Sequence, residues 1–188
     1  MDDSMSLRAL RADFDRNAGR SLSLPLAGMI VWAGVGVASL FLPFRTATLV
    51  LLFASGAIFT LGLLLSQLLR EQLLSNKNPL AKLMGVAVLM VNLLWALHIT
   101  LAVGEPTYMP LSLGIGLGIH WIIFSWIISH PLGTIHAVLR TLLVTALWWL
   151  FPDNRIAAVA IGVVISYAYS IYALSTRRLN QDDAPPRP

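Results

Sequence analysis

The sequence predicts an all-α, polytopic transmembrane bundle of six spans, with both termini cytoplasmic and a short amphipathic helix before the first span. Three observations predict it. Hydrophobic residues make up 57% of the 188-residue chain and charged ones only 12%, where a soluble domain carries about 25% charged. Mean hydropathy is +0.75. The charges sit in short gaps between apolar runs of the length, roughly 20 residues, that a helix needs to cross a hydrocarbon core about 30 Å thick.

Composition excludes several classes. There is no cysteine, so a disulfide framework, a thiolate metal site and a cysteine nucleophile are ruled out. A net charge of +4 in such a chain speaks of membrane orientation, not nucleic-acid binding. No HExxH, GxSxG, Ser-x-x-Lys or phosphate-binding glycine loop occurs, and no two histidines lie at i,i+4. Neither a metal nor a cofactor is expected.

Residues 1–20 place Leu7, Leu10 and Phe14 at helical spacing among Arg8, Arg11, Asp15 and Arg16. Asp3 or Ser4 caps such a helix and Gly19 ends it, giving an amphipathic segment on the membrane surface. The first span covers residues 22–42 and is retained, since no small-x-small cleavage site follows it closely. The second covers 46–68. A polar loop at 70–79 leads to the third, 80–103, which carries Asn92, Trp95 and His98. Asn92 lies deep, where an interhelical hydrogen bond is the expected role.

The fourth and fifth spans come from residues 111–140, an apolar run holding three of the four histidines and ending in Arg140. No charged residue lies between Glu105 and Arg140, too long a stretch for one helix. His130-Pro131-Leu132-Gly133-Thr134 supplies the break: Pro131 disfavours helix before it, Gly133 permits positive φ, and Thr134 caps the next helix. The spans are then 110–129 and 135–151. Trp148-Trp149 closes the fifth as an interfacial belt. The sixth covers 156–174. The domain is 21–175, followed by a charged, proline-rich tail at 176–188 that is expected to be disordered.

With six spans the terminal side collects Arg8, Arg11, Arg16, Arg20, Arg70, Lys77, Lys82, Arg140, Arg177, Arg178 and Arg187; the other has Arg45 and Arg155. The imbalance predicts a cytoplasmic terminal side, in a multi-pass protein of the cell (inner) membrane.

Several residues are candidates for chemistry. Gly114 and Gly118 share a helix face and, with Gly34, suit close helix packing. Gly34-x-Gly36 and Gly114-x-Gly116-x-Gly118 would also fit an inverted repeat of three spans each. His120, near mid-span, must find a partner or line a cavity. With His98, Asn92, Trp95 and Glu105 it forms a candidate substrate or proton-relay group between spans three and four, imidazole titrating near neutral pH. His130, His136 and Arg140 form a basic cluster at the cytoplasmic rim. There Arg140 snorkels to the interface and the cluster meets an anionic lipid or substrate.

Asn78-Pro79-Leu80-x-Lys82-Leu83, Gly118-x-His120 with Trp126, and Arg20…Ala27-Gly28…Trp32 together resemble an uncharacterised family of small bacterial membrane proteins. The likeness covers about residues 15–130 and does not reach the His130–Arg140 region. It implies a bacterial multi-span membrane protein and carries over no catalytic residue. Three functions remain open: a small transporter with its site between spans three and four, an accessory protein packing on a partner, anionic lipid or a second copy of itself, and an intramembrane lipid-modifying enzyme. The first and the third require a water-accessible cavity with His120 on its wall. The accessory reading requires a solid bundle with His120 bonded to a neighbour and one flat glycine face exposed to lipid.

Overall fold

The computed structural model describes residues 6–71 and 77–179. Every regular element among them is helical: α1 (Leu7–Ala18), α2 (Ser23–Ser39), α3 (Phe44–Leu69), α4 (Pro79–Leu93), α5 (Trp95–Gly104), α6 (Met109–Gly116), α7 (Trp121–Ile127), α8 (Leu132–Leu150), a 3₁₀ turn (Pro152–Asn154) and α9 (Arg155–Thr176).

Five stretches are long and apolar enough to cross a membrane: Phe44–Leu69, Pro79–Gly104, Met109–Ile127, Leu132–Leu150 and Pro152–Thr176. α1 and α2 supply a sixth if that pair, bent by 56°, counts as one. The bend has a local cause: Gly19 and Ser21 both take positive φ, 59° and 55°, ending α1 before α2 begins. Large apolar side chains such as Phe41, Phe53, Leu68, Val103 and Trp149 point outward, as a lipid-facing surface requires. Trp32, Leu51, Leu113, Val144, Val159 and Val163 fill the interior. α2 packs most extensively on α3 and α9, and α8 on α9.

The terminal end of the bundle is tied together by polar contacts. α1 is capped by Ser6, whose hydroxyl accepts from Ala9 N at 3.2 Å; Asp3 and Ser4 lie outside the described residues. α1 does more than rest on a surface. Ala12, Phe14 and Asp15 are buried, Arg11 donates to the Trp126 carbonyl at 2.8 Å, and Asn78 Nδ2 donates to the Leu10 carbonyl and to Asp13, each at 2.8 Å. Glu71 accepts from the backbone N–H of Leu22 and Ser23, offsetting the positive end of α2. Arg20 donates to the carbonyls of Leu174 and Ser175 at the end of α9. Arg177, assigned by sequence to the tail, is buried against Asp15. Residues 180–188, the rest of that tail, lie outside the described residues.

Two expectations about the fourth-to-fifth turn are corrected. α8 starts at Leu132, not beyond Thr134. The residue at its start is Pro131, which offers no side-chain cap; His130 Nδ1 accepts from Leu132 N at 3.2 Å. Positive φ falls on Ser129 rather than Gly133. Gly133 instead lets α8 approach the backbone of α7 at Trp121 and Ser125, where a Cβ would collide.

Candidate functional site

The fourth span is not one continuous helix. Residues 117–120 interrupt it, and the ladder there tightens to i→i−3 bonds: Gly118 N to Ile115 O at 2.8 Å, Ile119 N to Gly116 O at 3.4 Å and Trp121 N to Gly118 O at 3.2 Å. In an α-helix Gly118 N would bond Gly114 O. The tightened turn leaves that carbonyl without its helical donor, and a backbone acceptor inside a bilayer must be satisfied by protein. Arg140 satisfies it, Nε donating to Gly114 O at 2.5 Å. Glycine makes room for the approach. A Cβ at Gly118 would stand 2.7 Å from Arg140 Cδ, and one at Gly114 would stand 2.9 Å from Val159.

Arg140 therefore does not snorkel. It is 0% exposed, with its guanidinium carbon 5.2 Å from the Tyr167 ring centre and 5.7 Å from that of Trp32. Snorkelling needs a side chain that faces lipid or the rim. Arg140 shares the inward face of α8 with Gly133, His136, Ala137 and Val144, while Ile135, Val138 and Leu142 face out.

His136, one turn before Arg140, is also fully buried. Its ring stacks on Trp121 with centres 4.1 Å apart. Its Nδ1 lies 3.1 Å from the Ser166 carbonyl and 2.7 Å from Ser170 Oγ. The carbonyl only accepts, so Nδ1 carries the proton and Nε2 of the neutral ring is an acceptor. His120 sits on the interrupted turn, within electrostatic reach of both Arg140 and His136. Its Nδ1 is buried without a hydrogen-bond partner among the described residues.

His120 also lines a cavity of about 120 Å³. The other walls are mostly apolar: Phe14 and Ala18 of α1, Leu24 and Pro25 of α2, Ala81 and Met84 of α4, and Trp121 and Phe124 of α7. Glu71, Ser21 and Ser23 supply its polar rim.

The expected groups thus separate. His98 is buried and shares a 3.0 Å hydrogen bond with Ser112 Oγ, in space that Gly116 leaves open. Glu105 is exposed and forms no ion pair with His98 among the described residues. Asn92 is exposed too, because its position around α4 lies off the buried face of Leu80, Ala87 and Val91; no side-chain hydrogen bond across helices is seen for it among the described residues. Trp95 is partly buried against the helix surface at Gly56. His130 stays at its turn near Arg177, so the basic cluster at the rim divides. Gly34 faces open space, and Gly28 and Gly36 make the close contacts of α2, with Tyr167 and Ala160. Trp148 is buried under Tyr108 and donates to the Thr107 carbonyl at 3.1 Å, so only Trp149 is placed for an interfacial belt. Among the described residues no three metal-ligating side chains come together.

Trp32, Trp121 and Tyr167 were not legible as site residues. The available signal was the pattern of α8, whose small and polar residues fall on one face.

Fold and site define a multi-pass helical membrane protein with a polar centre inside the bundle, built on an interrupted span. The chain belongs to a family of unknown function (DUF7010), whose model matches residues 7–177 and so takes in the histidine–arginine region as well. No curated protein and no solved structure matches it.

Proposed function

We propose that the protein is a small-solute permease of a bacterial inner membrane, with its chain ends in the cytoplasm. Its site joins the polar centre among α2, α6–α7, α8 and α9 to the cavity walled by α1, α2, α4 and α7. The observation that carries this reading is the interrupted span, with His120 on a cavity wall and a buried arginine beside it. Transporters place unwound backbone at the middle of the bilayer for such sites, and an ionisable residue held inside a bundle is a functional marker. The accessory reading asked for a solid bundle with His120 bonded to a neighbouring helix. The cavity and the unpartnered Nδ1 favour permeation. The charge imbalance between the two ends supports the orientation, and it barely changes when Arg140 is counted as internal.

The absence of cysteine makes a direct test simple. His120→Cys and Met84→Cys are reacted in sealed vesicles with a membrane-impermeant methanethiosulfonate reagent, added to one side or the other. A permease exposes His120→Cys to both sides in turn. Reaction from one side only, or from neither, contradicts transport.

A further inference from the structure

A guanidinium buried in a bundle needs a carboxylate, carbonyls or a ligand to offset its lost hydration. Arg140 has one carbonyl, that of Gly114, and two aromatic faces. Its Nη1 and Nη2 are buried and take no hydrogen-bond partner among the described residues. These are the two ends of a planar fork that matches the paired oxygens of an oxyanion. Trp32 Nε1, which can only donate, is likewise buried and unpartnered beside it. His120 Nδ1 and His136 Nε2 complete the group of orphaned atoms. Of the residues that own these atoms, His120 alone lines the cavity.

The cavity suits an apolar body. Phe14, Leu24, Pro25, Met84 and Phe124 form its walls. Its carboxylate, Glu71, is already engaged at the start of α2 by two N–H donors, at 2.7 and 3.0 Å, which leaves little to attract a cation.

We infer that Arg140 and Trp32 form the head-group end of a site for an oxyanion carrying an apolar tail, with a short length of that tail in the α1–α2–α4–α7 cavity and His120 at the junction. The inference names the substrate class of the permease proposed above, yet it needs only binding. The oxyanion is that of a free short-chain carboxylate or the phosphate of an anionic lipid, two sources that experiment separates.

The full-length chain in phosphatidylcholine nanodiscs is titrated with hexanoate and, as a control of equal tail, hexyltrimethylammonium, while melting temperature is followed. Native mass spectrometry in mixed phosphatidylcholine and phosphatidylglycerol reads lipid retention. The expected result is saturable stabilisation by hexanoate and not by the cation, weakened about 10- to 100-fold in Arg140→Gln and less in Trp32→Phe. If the free acid fails but phosphatidylglycerol is retained selectively, and both substitutions abolish this, the head group is the lipid's. Trp32→Phe keeps an aromatic side chain while removing the indole N–H, so it decides the matter if Arg140→Gln does not fold. Binding of neither anion, or binding unchanged by the substitution that folds, overturns the assignment. Two-sided labelling of His120→Cys without oxyanion binding would leave the permease reading standing and remove the ligand class; binding with one-sided labelling would do the reverse.

Discussion

Asp15 on the first helix and Arg177 just past the last are joined at two points, Oδ1 to Nη2 at 2.8 Å and Oδ2 to Nη1 at 3.0 Å. Both side chains are shielded from solvent. The pair closes the bundle by linking its two ends in sequence. Removing one partner of a buried pair strands the other charge, at about 3–5 kcal/mol. Asp15→Asn and Arg177→Gln should each lower stability by that order, and the exchange Asp15→Arg with Arg177→Asp should recover part of it. Equilibrium unfolding in nanodiscs measures both; unchanged stability in the single variants would show the pair to be dispensable.

The glycines of α2 separate into two kinds. A Cβ at Gly28 would lie 2.5 Å from the Tyr167 ring, while one at Gly34 meets nothing within 4 Å. Gly28→Ala should therefore cost about 1–3 kcal/mol through forced repacking, and Gly34→Ala should stay within about 0.5 kcal/mol. Thermal melts of the two variants check the contrast, and equal effects would refute it.

Much of the fold was readable because hydrocarbon leaves a backbone few options. Apolar runs and their charged gaps located the helices to within a few residues. The interior was harder to read. Gly114, Gly116 and Gly118 signalled close packing, but nothing in their spacing states that the ladder tightens there and releases a carbonyl. Arg140 was assigned to the rim from its distance along the span, although its angle around α8, shared with Gly133 and Ala137, points inward. Depth along a helix sets where a charge could reach; the face it occupies sets where it goes.

His130 is the one histidine outside the spans. Its pKa is held below the usual 6.5, first by burial and then by the positive charge of Arg177. The folded state thus prefers the neutral ring, whose Nδ1 accepts from Leu132 N. A depressed histidine pKa makes the unfolded chain bind the proton more readily, so stability rises with pH. Its contribution is complete above about pH 6.5 and is lost as pH falls from there toward the folded value. Melting curves from pH 7.5 down to 5 (roughly the window set by an unperturbed imidazole) should show that loss in wild type and less of it in His130→Ala. Parallel curves would contradict it.

His98 and Asn92, neighbours in one span, should behave oppositely. Ser112→Ala removes the hydroxyl bonded to His98 and should cost about 0.6 kcal/mol, the average for such contacts between membrane helices. Asn92→Ala, at an exposed position, should change stability by less than about 0.5 kcal/mol. A large effect at Asn92 with none at Ser112 would restore the deep role that its sequence position suggested.

The central claim is that Arg140 turns into the bundle and takes the carbonyl released by the interrupted span. Rotational-echo dipolar dephasing in bilayers, between ¹³C′ of Gly114 and ¹⁵Nε of Arg140, measures it most directly. The account predicts strong dephasing, for a separation of about 4 Å or less across a hydrogen bond. Absence of dephasing, with Gly118 N bonded to Gly114 O in an unbroken helix, would contradict it.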